Sequence, residues 1–120
     1  MPDKYKAGMQ GQQVAEAYLA NKGYKILERN YRIRIGEVDL IAQYENYVVF
    51  IEVKTRSGVK YGYPREAVGA AKQQRIVQTA MHYISAKGLN SNDFRFDVIE
   101  VYTHNGEARV EHIENAFDVS

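Results

Sequence analysis

The spacing of apolar residues along this chain switches between helical and alternating, and each switch marks an element. Val14, Ala15, Tyr18 and Leu19 fall on one helical stripe, and Gly23 stands where a C-terminal cap would stop it, so the first element is a helix. Tyr24–Ile35, Glu37–Tyr44 and Tyr47–Thr55 are then rich in β-branched, aromatic and aliphatic residues, with turn points at Ile35-Gly36 and Glu45-Asn46. They predict three successive antiparallel strands. Arg56–Arg65 carries the loop signals Ser57-Gly58, Gly62 and Pro64 around Lys60, Tyr61 and Tyr63, which makes it a basic, aromatic loop. Helical spacing returns with Val77, Ala80, Met81 and Ile84, predicting a second helix over Glu66–Lys87 that ends at Gly88. Phe94–Tyr102 reads as a strand, Asn105-Gly106 as a hairpin turn and Arg109–Ile113 as a short returning strand. The predicted order is α, β, β, β, α, β, β.

Two of these strands are interrupted by charge. Asp39 lies in Gly36-Glu37-Val38-Asp39-Leu40-Ile41-Ala42, and Glu52 and Lys54 lie in Val48-Val49-Phe50-Ile51-Glu52-Val53-Lys54-Thr55-Arg56. A charge removed from water costs several kcal/mol unless it is paired or holds a metal. Side chains alternate along a strand, so Glu37 and Asp39 point one way, and Glu52 and Lys54 share a face with Val48 and Phe50. Val49, Ile51, Val53 and Thr55 take the other face. A hairpin through Glu45 and Asn46 brings Asp39 close to Glu52 across the ladder, to within a residue or two of register. Two carboxylates there repel each other unless a cation lies between them. Magnesium takes hard oxygen ligands and is held by one or two carboxylates plus waters and phosphate oxygens, so an Asp-Glu pair suffices. Lys54 beside such a metal would orient the attacking water, stabilise the phosphorane, or act as base if its pKa fell far below about 10.4. That division of labour is phosphodiester hydrolysis. The competing reading is a set of cross-strand ion pairs among Glu37, Asp39, Glu52, Lys54 and Arg56 on a solvated face, each contributing about 0–1 kcal/mol. Local features leave both open.

Length and charge narrow the setting. At 120 residues the chain suits a single domain over 1–120, and nothing marks an internal boundary. The absence of cysteine removes disulfides, thiolate metal sites and cysteine nucleophiles. With no apolar run of membrane-spanning length and no signal-like start, the expectation is a cytoplasmic protein without a membrane partner. The net charge of +1 is unevenly spread: Lys22–Arg75 holds eleven basic against six acidic residues, and Ile76–Ser120 three against seven. A positive middle segment that also holds the carboxylates suits a groove for a polyanion with an embedded metal site, although ordinary surface charge would look the same. His82, His104 and His112 have no ligand spacing and read as structural or exposed, while Asp97, in an apolar strand, is a buried acid that needs a partner.

At Asp39 and Glu52-Val53-Lys54 the chain resembles the PD-(D/E)xK, restriction-endonuclease-like nuclease superfamily. The surrounding text is more specific: Gly11 through Leu19, Gly23-Tyr24, Arg29-Asn30-Tyr31-Arg32, Gly36 to Ile41, Phe50 to Arg56, Lys72 with Arg75-Ile76, Arg95-Phe96-Asp97-Val98-Ile99 and Asn115-Ala116-Phe117. Together these resemble the YraN-like family over nearly the whole chain. The resemblance implies an α/β, three-layer fold with a central mixed sheet flanked by helices, similar to Holliday-junction resolvases. It implies Asp39 and Glu52 as ligands of Mg2+ or Mn2+, the Val53 carbonyl as a third, Glu16 as an additional acid from the first helix, and Lys54 as the catalytic lysine. Val38 stands where the motif's proline would be. Arg56, Lys60, Arg65, Lys72 and Arg75 are candidate phosphate contacts, and Tyr61 or Tyr63 could stack on an unpaired base. The expected substrate is DNA, with branched or junction DNA in view. Action on a two-fold junction would require a homodimer. The alternative is a nucleic-acid-binding or protein-interaction module on the same fold with little or no catalysis.

Overall fold

The computed structural model describes residues 4–57 and 69–117, and side chains over 10–56 and 69–117. Lys60, Tyr61, Tyr63 and Arg65, the loop containing them, and the first residues expected for the second helix lie outside that description. Among the described residues the elements are α1 (Lys4–Asn21), β1 (Lys25–Ile33), β2 (Gly36–Tyr44), β3 (Tyr47–Ser57), α2 (Ala70–Lys87), β4 (Asp93–His104) and β5 (Glu107–Ile113). The sheet order is β1-β2-β3-β4-β5. Neighbours run antiparallel except β3 and β4, which are parallel and separated in sequence by the segment containing α2. The expected element order and the mixed α/β sheet are both present.

Boundaries differ from the sequence reading where turn chemistry decides them. The first turn is Arg34–Ile35, so Gly36 opens β2 instead of turning. Gly69 is extended, with φ −75° and ψ 165°, and α2 begins at Ala70. Asn105 and Gly106 have φ of 52° and 78°, the paired positive values of a tight hairpin, and they extend the last strand back to Glu107. Gly23 at φ 94° and Gly88 at φ 67° close the two helices as expected, with the Leu89 N–H donating to the Ile84 carbonyl at 3.0 Å.

Each face of the sheet carries one helix. Ala15 and Leu19 of α1 pack with Leu40, Ala42, Val49, Ile51, Ile99 and Val101. Ile76, Ala80, Tyr83 and Ile84 of α2 pack with Ile41, Val48, Phe50 and Phe96 on the opposite face. The result is helix, sheet, helix, in three layers. Two glycines allow the helices to approach closely. A Cβ on Gly11 of α1 would lie 2.0 Å from Thr55 Oγ1, and one on Gly36 would lie 2.6 Å from Thr79 Oγ1 and 3.0 Å from the Arg75 carbonyl of α2. No larger residue fits at either place without displacing its neighbour.

An irregularity in β1 sets where its side chains reach. Asn30 sits mid-strand with φ 52°, in the left-handed region that asparagine tolerates better than most residues. Arg29 and Asn30 consequently both reach α1, bonding Glu16 and Gln12, while Tyr31 turns to the α2 face against His82 and Tyr83.

Candidate active site

β2 and β3 separate at the interrupted strands. Their ladder runs from Tyr44 opposite Tyr47 to Leu40 opposite Ile51 and ends there, whereas β3 stays paired with β4 as far as Ser57 opposite Thr103. Alternation in β2 breaks at the same place, since Leu40 packs on the α1 side and Val38 on the α2 side. The kinked neighbour on β1 is Asn30, between the pairs Arg29–Leu40 and Tyr31–Val38. Asp39 is thereby turned along the sheet toward β3, where its Oδ2 accepts the Val53 N–H at 2.8 Å. A side chain does what a main-chain carbonyl would do in an unbroken ladder.

Glu52 follows the alternation of β3 onto the α2 face and is buried, at 7% exposure. Its carboxyl lies beside that of Asp39. Burial first, then the Glu52 charge, pushes the Asp39 pKa up to about 7, against the opposing effect of the Val53 N–H. Lys72 of α2 forms an ion pair with the Glu52 Oε2. Lys54, two residues on and half-buried, has its pKa lowered by burial and then by the Lys72 ammonium, with Glu52 and Asp39 opposing. The register from the hairpin thus agrees with expectation: Asp39, Glu52 and Lys54 come together, and Lys72 joins them from α2.

Other expected residues take different places. Glu16 bonds the Arg29 Nε at 2.8 Å on the α1 side, and among the described residues no three His, Cys, Asp or Glu gather into a metal cage. Glu37 pairs with Arg32, at 2.7 Å, rather than with Arg56, because Arg32 is its ladder partner. Arg56 donates its Nε to Glu100 Oε2 at 3.2 Å, and Arg75 is exposed on α2. Val53 contributes its N–H to the site. The residue the sequence reading missed is Glu100, 1% exposed and opposite Lys54 in the parallel ladder. A charge inside the apolar run Phe96–Tyr102 was the available signal.

The donor set fits a hard divalent cation: two neighbouring carboxylates offer the hard oxygens that such a cation takes. Asp97 has a different fate. It accepts Arg95 Nε and Nη2 at 2.9 and 2.8 Å, His112 Nε2 at 2.7 Å and the Asn115 N–H at 3.1 Å, on the α1 face. Tyr18 lies against His112 Nδ1 at 3.1 Å. His82 and His104 are exposed.

Fold and site define a class: an open, five-stranded α/β sheet covered by a helix on each face, with a carboxylate pair and two lysines where β2 leaves β3. The chain belongs to the uncharacterised protein family UPF0102, whose model matches residues 11–101. It is 51% identical over 107 residues to a UPF0102 protein of Clostridioides difficile, covering 89% of this chain and 92% of that one. It is 48% identical over 118 residues to one from Caldanaerobacter subterraneus, covering 96% and 97%. A relative in Syntrophotalea carbinolica is 47% identical over 112 residues, covering 93% and 91%. No helix among the described residues is long and apolar enough to cross a membrane.

Proposed function

We propose that this chain is a divalent-metal-dependent endonuclease of the PD-(D/E)xK type, hydrolysing phosphodiester bonds in DNA, with branched DNA as the substrate to test first. The observation that carries the reading is the placing of Asp39 beside the buried Glu52 at the point where β2 and β3 part, next to Lys54. A fold gains no stability from two carboxyls held side by side; a cation site requires them together. Asp39 and Glu52 would hold Mg2+ or Mn2+, with the Val53 carbonyl as a further donor. Bound there, the metal would acidify a water and offset charge on the phosphate oxygens.

The chain's own residues do the rest. The Val53 N–H fixes the Asp39 carboxylate, and Lys72 covers Glu52 from α2. Lys54 would orient the attacking water and, in its neutral form, which burial favours, take its proton as the water oxygen bonds phosphorus. The phosphorus–ester oxygen bond breaks and the leaving oxygen takes a proton from solvent water, so that one product ends in a phosphate and the other in a hydroxyl. Arg56 and Arg75 add positive charge around the path of the backbone, in a cytoplasmic setting that the cysteine-free composition suits. A two-fold junction would engage two such sites in a homodimer.

The Lys72–Glu52 ion pair favours one second reading, a DNA-binding module without catalysis, because it partly satisfies Glu52 in the absence of metal. Cleavage of linear, flapped and four-way-junction DNA with Mg2+ or Mn2+ separates the two. Loss of wild-type cleavage in both Asp39→Asn and Lys54→Ala is the expected result. Binding without metal-dependent cleavage, indifferent to both substitutions, would select the module.

A further inference from the structure

Beyond Lys54, β3 continues to Arg56 on the same face, and β4 supplies the residues opposite them. Lys54 pairs in register with Glu100 and Arg56 with Tyr102. Glu100 is almost wholly enclosed, with a side chain 1% exposed, yet it is a carboxylate between the apolar Ile99 and Val101. Its Oε2 accepts the Arg56 Nε at 3.2 Å and its Oε1 accepts the Tyr102 hydroxyl at 3.2 Å. Arg56 keeps 37% of its side chain exposed. A buried acid thus holds the Nε of a guanidinium on a side chain that stays partly exposed, two residues, about 6.6 Å, along the strand from Lys54.

We infer that Glu100 is a positioning residue, which acts through Arg56 to fix a phosphate clamp beside the Asp39, Glu52 and Lys54 site. The inference rests on the nuclease reading and adds a residue to it. Burying a carboxylate next to a polyanion's path is costly in itself, and it is explained by what the carboxylate does to Arg56. An arginine tethered through one edge loses rotamer freedom before the substrate arrives, so less is lost on binding. Its planar fork can then bond two phosphate oxygens at once.

The sign of one substitution tests this. Simple electrostatics says that neutralising an acid near DNA tightens binding, whereas releasing a tethered Arg56 weakens it. Glu100→Gln should raise the KM for DNA cleavage about fivefold, equal to about 1 kcal/mol at tenfold per 1.4 kcal/mol, with a smaller change in kcat. The same shift should appear in the Kd for that DNA. In an Arg56→Ala background the Glu100→Gln effect should vanish, since the residue through which it acts is gone. Tyr102→Phe, which removes the second bond to Glu100, should move KM the same way by a smaller factor, and serves if Glu100→Gln does not fold. An unchanged or lowered KM and Kd, or an equal effect with and without Arg56, overturns the inference. A wild type that binds DNA but does not cleave it overturns the nuclease reading and leaves the Kd comparison to judge Glu100. A wild type that neither binds nor cleaves overturns both.

Discussion

An Asp39→Asn substitution should make the metal-free protein more stable at pH 8, although it removes a residue central to the proposed chemistry. An ordinary aspartate titrates near 3.9, and Asp39 in the fold titrates at about 7, because burial and the Glu52 charge both oppose its ionisation. The fold therefore prefers the protonated acid. That preference contributes fully below about pH 4 and is lost as pH rises to about 7, leaving a penalty at pH 8. At about 1.4 kcal/mol per pKa unit, three units set a ceiling near 4 kcal/mol. The Val53 N–H bond to Asp39 Oδ2 is worth more to a carboxylate than to an amide, so we expect a net gain of about 1–2 kcal/mol for the variant. Urea unfolding in chelator at pH 4.5 and pH 8 measures it, as a midpoint shift with unchanged m that grows with pH. Excess Mn2+ should then raise the Tm of the wild type and leave the variant where it was, since the metal binds only the folded pair. Loss of stability in the variant by more than about 1 kcal/mol at pH 8, or the same difference at both pH values, would refute the reasoning.

Asp97→Asn should have the opposite sign, a loss of about 3–5 kcal/mol in the same urea experiment, because Arg95 and His112 would keep their donors buried against an uncharged amide. Burial alone would raise the Asp97 pKa, but the bonds from His112 and Arg95 hold it below the usual range. Its contribution is therefore present above about pH 4 and lost as pH falls further, so the variant's stability should fall less steeply on acidification. Gly36→Ala should cost about 1–3 kcal/mol, since the added methyl meets the α2 backbone at Arg75 and the Thr79 hydroxyl; an unchanged denaturation midpoint would contradict that contact. Lys72→Met should tighten Mn2+ binding by calorimetry about threefold or more, because the ammonium paired with Glu52 competes for the same oxygen, and weaker binding would count against the shared seat.

What was legible in the sequence is what depends on short-range regularities. The helical stripe of Val14 to Leu19, the caps at Gly23 and Gly88 and the Asn105-Gly106 turn all report local backbone preferences, and each element stands where those residues put it. The approach of Asp39 to Glu52 was legible too, because a two-residue turn at Glu45–Asn46 leaves little freedom in counting back along the hairpin. The left-handed Asn30 was not legible. Asparagine only permits that conformation, and it is the packing of Arg29 and Asn30 under α1 and of Tyr31 under α2 that requires it. The pairing of Glu52 with Lys72, of Glu37 with Arg32 and of Arg56 with Glu100 each depends on which residue lies across the ladder or on the covering helix. Glu100 was open to the same rule that singled out Asp39 and Asp97, a charge within an apolar strand.

The two faces of the sheet show why burial alone does not separate a structural acid from a functional one. Asp97 and Asp39 are both acids flanked by apolar residues, the first on the α1 face and the second turned along the sheet toward β3. Asp97 accepts two bonds from a guanidinium, one from a histidine and one from a main-chain N–H, and its pKa falls despite burial. That cluster ties β4 to β5 and to the segment after it. Asp39 accepts one main-chain N–H, faces a second acid, and its pKa rises. Among the described residues no buried side-chain nitrogen or oxygen lacks a hydrogen-bond partner, so the difference is one of charge. Donors surround Asp97 and complete it, whereas Asp39 meets a second carboxyl whose own partner is Lys72, and it is this crowding of acids on which the proposed metal site rests.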